Sequence, residues 1–158
     1  MAKRRKYKNS MEMRNLLKDT GRRLENNKEA HEKLGDKINE MEKKLEKFGE
    51  NSEGMSDEKA QDMRDAINKE IEETINRQEE FEQIKQELIG KTNELIEDIQ
   101  SEIDFSESDQ RRLSDLGQRI ENIHSRKILM QQAIASLSRK KIYENLAKTG
   151  KQILDATS

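Results

Sequence analysis

The stretch Leu17–Phe48, LKDTGRRLENNKEAHEKLGDKINEMEKKLEKF, decides the fold. Leu17, Thr20, Leu24, Asn27, His31, Leu34, Ile38, Met41, Leu45 and Phe48 follow one another at alternating steps of three and four. That is the heptad spacing of a coiled-coil seam, which keeps one narrow stripe of a helix against a neighbour. The positions between are charged or polar, and no proline interrupts them.

The same logic extends outward. A second periodic stretch carries Met63, Ile67, Ile71, Thr74, Gln78, Phe81, Leu88, Thr92, Leu95 and Ile99. A third carries Leu113, Leu116, Ile120, Ile123, Lys127, Met130, Ile134 and Leu137, then slips phase to Ile142, Leu146, Thr149 and Ile153. Acid-to-base pairs four residues apart, such as Glu40–Lys44, Glu73–Arg77 and Asp115–Arg119, support the outer faces. Two stretches break the pattern: residues 49–56, with Gly49 and Gly54, and residues 104–109, where Ser106 and Asp109 have capping-box spacing. Ser56 followed by Asp57 and Glu58 suits a helix N-cap. The expectation is an all-α chain with helices over about 10–48, 57–102 and 107–155, folded as an elongated antiparallel three-helix coiled-coil bundle. The alternative is a long helical hairpin whose third helix docks on another chain. Residues 1–9 are expected to be a flexible basic segment and residues 10–158 a single helical domain.

Composition fits that division. Of 158 residues, 41% are charged and 30% apolar, enough for narrow seams rather than a wide core. Charge is segregated along the chain. Residues 1–9 carry a net +5, residues 10–48 +1, residues 49–106 −12 and residues 107–158 +4. An acidic middle helix beside a basic third one favours antiparallel pairing. The chain has no cysteine, so neither disulfides nor Cys-ligated metal sites can form. Five Tyr and Phe residues in all, without Trp, are too few to stack on unpaired bases. No stretch is apolar enough to span a bilayer, and no apolar segment follows the basic N-terminus. The expected location is the cytoplasm, or export by a route without a cleavable signal peptide.

Nothing in the pattern suggests catalysis. Glu121-Asn122-Ile123-His124 has the Glu-x-x-His spacing of one half of a carboxylate-bridged di-metal site. The other histidine, His31, has Lys28 at the matching position, and Ile123 rather than His124 lies on the expected seam. The serine clusters in the two breaks and near Ser136 and Ser138 have no histidine close in sequence and no strand–turn–helix context, and glycines are scattered singly rather than gathered into a phosphate-binding loop. The expectation is a non-enzyme with no cofactor, no metal and no small-molecule substrate. His31 and Asn27 read as polar seam residues that specify register, level with Thr74 and Gln78 of the second helix.

Two surfaces remain as candidates. Lys3, Arg4, Arg5, Lys6 and Lys8 could attach weakly to an anionic surface, whether membrane, nucleic acid or an acidic protein. In the third helix, Ile128, Leu129, Met130, Ala133, Ile134 and Leu137 wrap more than one face, and no residue from 128 to 138 is charged. These six are the expected partner-binding residues, with Met130, Ile134 and Leu137 on the internal seam and Leu129 and Ala133 rotated away to meet the partner. In size, lack of cysteine and helical-hairpin form, the chain resembles the small helical partners of specialised bacterial secretion systems. The Trp-x-Gly turn of one such family is missing, with Ser52-Glu53-Gly54 in the first break instead. The resemblance implies an adaptor or accessory protein that binds another helical protein, such as a chaperone or targeting partner of a secreted effector. The other readings are a peripheral binder of anionic surfaces and a homo-oligomeric spacer.

Overall fold

A computed structural model describes residues 7–50, 54 and 56–157. Among these residues every regular element is a helix: α1 (Ser10–Glu50), α2 (Asp57–Arg119) and α3 (Ile123–Thr157). The helix ends follow from local chemistry. At the start of α1 the Asn9 carboxamide oxygen accepts from the Glu12 N–H at 3.0 Å. The Glu12 carboxylate in turn accepts from the Lys8 N–H at 2.8 Å, so one orphan donor of the helix and the N–H just before the cap are both satisfied. Between α1 and α2, Gly54 has a φ of 100°, a left-handed conformation that side chains resist. Ser56 then caps α2, its hydroxyl accepting from the Lys59 N–H at 3.3 Å, with Asp57 and Glu58 in the first turn.

The second break lies elsewhere than expected. α2 runs unbroken through residues 103–109 and ends at Arg119, so the helix start expected near residue 107 is corrected to Ile123. The reason is visible in the inward positions of α2. Ile99, Ile103, Ser106, Gln110, Leu113, Gly117 and Ile120 are buried or half-buried and keep steps of three and four past Ser106. Ser106 is buried rather than capping, because the seam continues through it. The actual break is Ile120-Glu121-Asn122. The Asn122 side-chain oxygen accepts from the His124 and Ser125 N–H groups at 3.0 and 3.1 Å, the N-cap of α3. Arg126 closes the other side, its Nε donating to the Gly117 and Ile120 carbonyls, each at 3.1 Å.

The chain forms two compact units. The described residues up to Arg22, with those from Ile89 onward, make the first, and Arg23–Leu88 make the second. In the first, three helices meet around Met13, Leu17, Leu95, Ile99, Ile103, Leu146 and Ala147. Contacts fix the helix directions. From α2 to α3, Gly117 meets Met130, Asp109 meets Ser136 and Ile96 meets Gly150, so these two run antiparallel. From α1 to α3, Leu17 meets Gly150 and Gly21 meets Ile153, so these run parallel.

The second unit is a helical hairpin. Asn27 is buried, and its Nδ2 donates to the Phe81 carbonyl oxygen at 2.9 Å across the pair. Gly35 faces the Gln78 side chain. Thr74 is buried as well and donates to the Glu70 carbonyl of its own helix at 2.8 Å. These residues take polar seam positions without leaving a buried polar atom unpaired among the described residues.

Residues 7–9, expected to be flexible, are held. Tyr7 packs against the core of the first unit, and its hydroxyl donates to Asp98 Oδ2 at 2.9 Å. Burial, that hydrogen bond and the charges of Asp98, Glu94 and Glu12 push its pKa from 10.0 to about 12. The folded state therefore favours the protonated phenol. The associated stability is complete below pH 10 and is lost as pH rises from 10 toward about 12. Tyr7→Phe is expected to cost about 1 kcal/mol at neutral pH, the net worth of one hydrogen bond. Above pH 10 its stability should fall less steeply than that of the parent chain. Urea unfolding at a series of pH values measures both slopes, and parallel curves would refute the assignment.

Candidate docking surface

The site begins with the way α3 meets α2. The inward stripe of α3 is built largely from small residues: Ala133, Ser136, Ala147 and Gly150 are buried, and Leu146 is the one large side chain buried with them. Ser136 has no exposed surface, and its hydroxyl donates to Asp109 Oδ2 at 2.6 Å. Arg112 donates to the other Asp109 oxygen at 2.9 Å, and Arg139 lies 3.6 Å from the same carboxylate as Ser136. The hydrogen bonds from Ser136 and Arg112 hold the Asp109 carboxyl below its ordinary range, against the opposing pull of burial, and the charges of Arg112 and Arg139 help. Lys140 lies 3.6 Å from Glu107 and 3.7 Å from Glu144, extending the polar contact between α2 and α3 by another turn.

This geometry reverses the expected facing of the partner-binding residues. Ala133, placed on the outer face by the sequence reading, is 3% exposed, and Leu129 is half-buried with its Cβ near Gly117. Ile134, placed on the internal seam, is 62% exposed; Met130 and Leu137 are exposed with it. The seam of α3 is thus turned by about one residue from the row of largest side chains. Close approach explains the choice. A seam rich in alanine, serine and glycine lets α3 lie near its neighbours, and the Ser136–Asp109 hydrogen bond joins the two helices there. Ile134 is left outside, with Met130 and Leu137 exposed beside it.

Of the six expected partner-binding residues, Ile128, Met130, Ile134 and Leu137 therefore form exposed surface, and Leu129 and Ala133 do not. Ile123, just past the second break, is 81% exposed on the same face as Ile134. An uncharged run with several exposed large apolar side chains is the pattern of an interaction surface rather than of isolated exposed leucines.

Lys3, Arg4, Arg5 and Lys6 lie outside the described residues, and Lys8 is exposed. The candidate anionic-surface contact is thus described in the structure by Lys8 alone. A furrow between α1 and α3 carries further cations that the sequence reading did not single out. Met11, Ile142 and Leu146 line it with Arg14, Lys18 and Thr149. Its signal in the sequence was faint, since Arg14 and Lys18 sit in a helix of mixed charge and meet α3 only through the fold. Glu121 and His124 are both exposed at the break between α2 and α3, and no group of three or more potential metal ligands occurs among the described residues. No described helix is long and apolar enough to cross a membrane. Comparison with family models, curated proteins and solved structures gives no match to this chain.

Proposed function

We propose that the chain is a non-enzymatic adaptor, a helical coiled coil that binds another helical protein through the exposed apolar face of α3. The observation that carries this reading is the exposure of Ile134, Met130 and Leu137 within the uncharged run 128–138. A helix face of this kind is buried by another amphipathic helix laying its own seam along it, with anchors at steps of three and four. The heptad spacing of α1 and α2 supports the coiled-coil description, and the antiparallel contact of α2 with α3 supports a bundle. The general resemblance to helical secretion partners gives this role a specific form, that of a chaperone or targeting partner of a secreted effector.

The test is a complex isolated from native lysate with the tagged full chain, compared with the Ile134→Glu variant. A carboxylate at the centre of the interface should weaken association by about 2 kcal/mol or more, roughly thirtyfold. Helicity should be unchanged. The complex formed by the parent chain should survive high salt, since apolar burial rather than surface charge holds it. Complexes that dissolve in salt and ignore Ile134→Glu would instead support attachment through the basic N-terminal residues, and the adaptor reading would fail. A parent chain that purifies as a defined homo-oligomer, dispersed by Ile134→Glu, would support the spacer reading.

A further inference from the structure

The exposed face of α3 has charged ends. Lys127, Met130, Ile134, Leu137 and Lys141 follow one another at steps of three and four, so they share one face of the helix. All five are exposed. The stripe is symmetric about Ile134, with a lysine seven residues away on either side. At ~1.5 Å per residue, each lysine stands roughly 10 Å along the axis from the centre. The neighbouring cations are engaged within the fold: Arg126 caps α2, Arg139 faces Asp109, and Lys140 lies between Glu107 and Glu144. Lys127 and Lys141 form no ion pair among the described residues.

We infer that the occupant of this face is an amphipathic helix of a different protein, with an apolar seam of about three turns and a carboxylate at each end. The inference rests on the proposed docking role and adds the partner's chemistry. Two unpaired ammonium groups bracketing an apolar centre reward a partner that places carboxylates against them and repel one that places cations there. Because the bracket is symmetric, the partner helix satisfies it running in either direction.

A second copy of this chain does not fit. In an antiparallel pair of α3 helices centred on Ile134, Lys127 of one copy faces Lys141 of the other at both ends. In a parallel pair each lysine faces its own counterpart. The rest of the sequence offers no substitute, because every pair of acids fourteen residues apart has a polar residue midway. Asp65 lies between Glu58 and Glu72, Glu80 between Glu73 and Glu87, and Ser114 between Glu107 and Glu121.

The experiment uses two synthetic helical peptides with leucines along one seam. One carries glutamates fourteen residues apart at the seam's ends, and the other carries lysines there. Binding to the full chain is followed by fluorescence anisotropy at low and high salt. The glutamate peptide is expected to bind at least about tenfold more tightly, with the gap closing as salt screens the charges. The double variant Lys127→Glu with Lys141→Glu should reverse the preference, and Ile134→Glu should abolish binding of both peptides. Both lysines are exposed, so the double variant keeps its fold, which circular dichroism checks. Failure of the glutamate peptide to bind, or no preference between the peptides, overturns the inference. If Ile134→Glu still abolishes binding in the latter case, the docking role stands without the charge bracket. Peptide binding indifferent to Ile134→Glu removes both. Concentration-dependent self-association that Ile134→Glu abolishes would make a second copy the occupant and also overturn the inference.

Discussion

Replacing Gly150 by leucine is expected to destabilise the unit built from α1, the end of α2 and α3 more than most substitutions elsewhere on α3. A Cβ at position 150 would already stand 2.8 Å from Ile96 Cγ1, 3.1 Å from its Cδ1 and 3.5 Å from Leu17 Cδ2. The first of these atoms is not the free end of a flexible side chain. It belongs to a β-branched residue with few rotamers to choose from, on a helix packed against two others. Leucine adds a branched side chain beyond that Cβ where no room exists, so α3 must separate from its neighbours or Ile96 must leave its rotamer. Overpacking of this kind costs about 3 kcal/mol, enough to lower the midpoint of thermal unfolding by roughly 10 °C. Gly90→Ala is the matched control. Nothing lies within 4 Å of a Cβ there, and the residue sits inside α2. Alanine should therefore stabilise by about 0.5–1 kcal/mol through its greater helix propensity. Two glycine replacements in helices thus carry opposite signs, set by what surrounds each. Thermal melts of both variants decide the matter, and a Gly150→Leu protein melting like its parent would mean that the three helices do not meet at this point.

The seam of α1 was legible because its spacing was carried by large residues. All ten of its seam positions, from Leu17 to Phe48, are buried or half-buried in the structure. The first break was equally legible, since Gly54 and Ser56 have local roles that composition announces. The second break was not. Ser106 and Asp109 have the spacing of a capping box, and nothing local distinguishes a serine that caps a helix from one buried in a seam. What distinguishes them is Ser136, twenty-seven residues after Asp109, which donates to its carboxylate only once α3 has folded back. The true boundary rests on one asparagine and one arginine, Asn122 and Arg126, whose capping roles also depend on the helix on either side being in place. The docking surface shows the same limit. Lack of charge marks its residues as a group, but their facing in the sequence rests on the three-and-four spacing that runs on from Leu113 and Leu116. That spacing favours the row Met130, Ile134, Leu137 as the buried one. Close packing through Ala133, Ser136, Ala147 and Gly150 selects the adjacent row instead, and close packing is a property of three helices together rather than of one.

That distinction predicts opposite outcomes for two neighbouring residues. Ala133→Glu places a carboxylate at a position 3% exposed, on the buried side of α3. The side chain must either enter the interface, shedding its hydration, or push α3 away and empty the seam around Ser136. The cost is on the order of 4 kcal/mol, within the range reserved for charge burial and core disruption. Ile134→Glu, one residue later, exchanges a side chain 62% exposed for one that water solvates readily. Its effect on stability is expected to stay within about 0.5 kcal/mol, as for most surface substitutions. Urea unfolding followed by far-ultraviolet circular dichroism separates the two. If the row of large side chains were the internal seam, the outcomes would be exchanged: Ile134→Glu would unfold the helices and Ala133→Glu would be tolerated. The pair therefore tests the register of α3 directly. Because Ile134→Glu keeps the fold when the register is as described, any loss of partner binding in that variant reports on the surface rather than on unfolding.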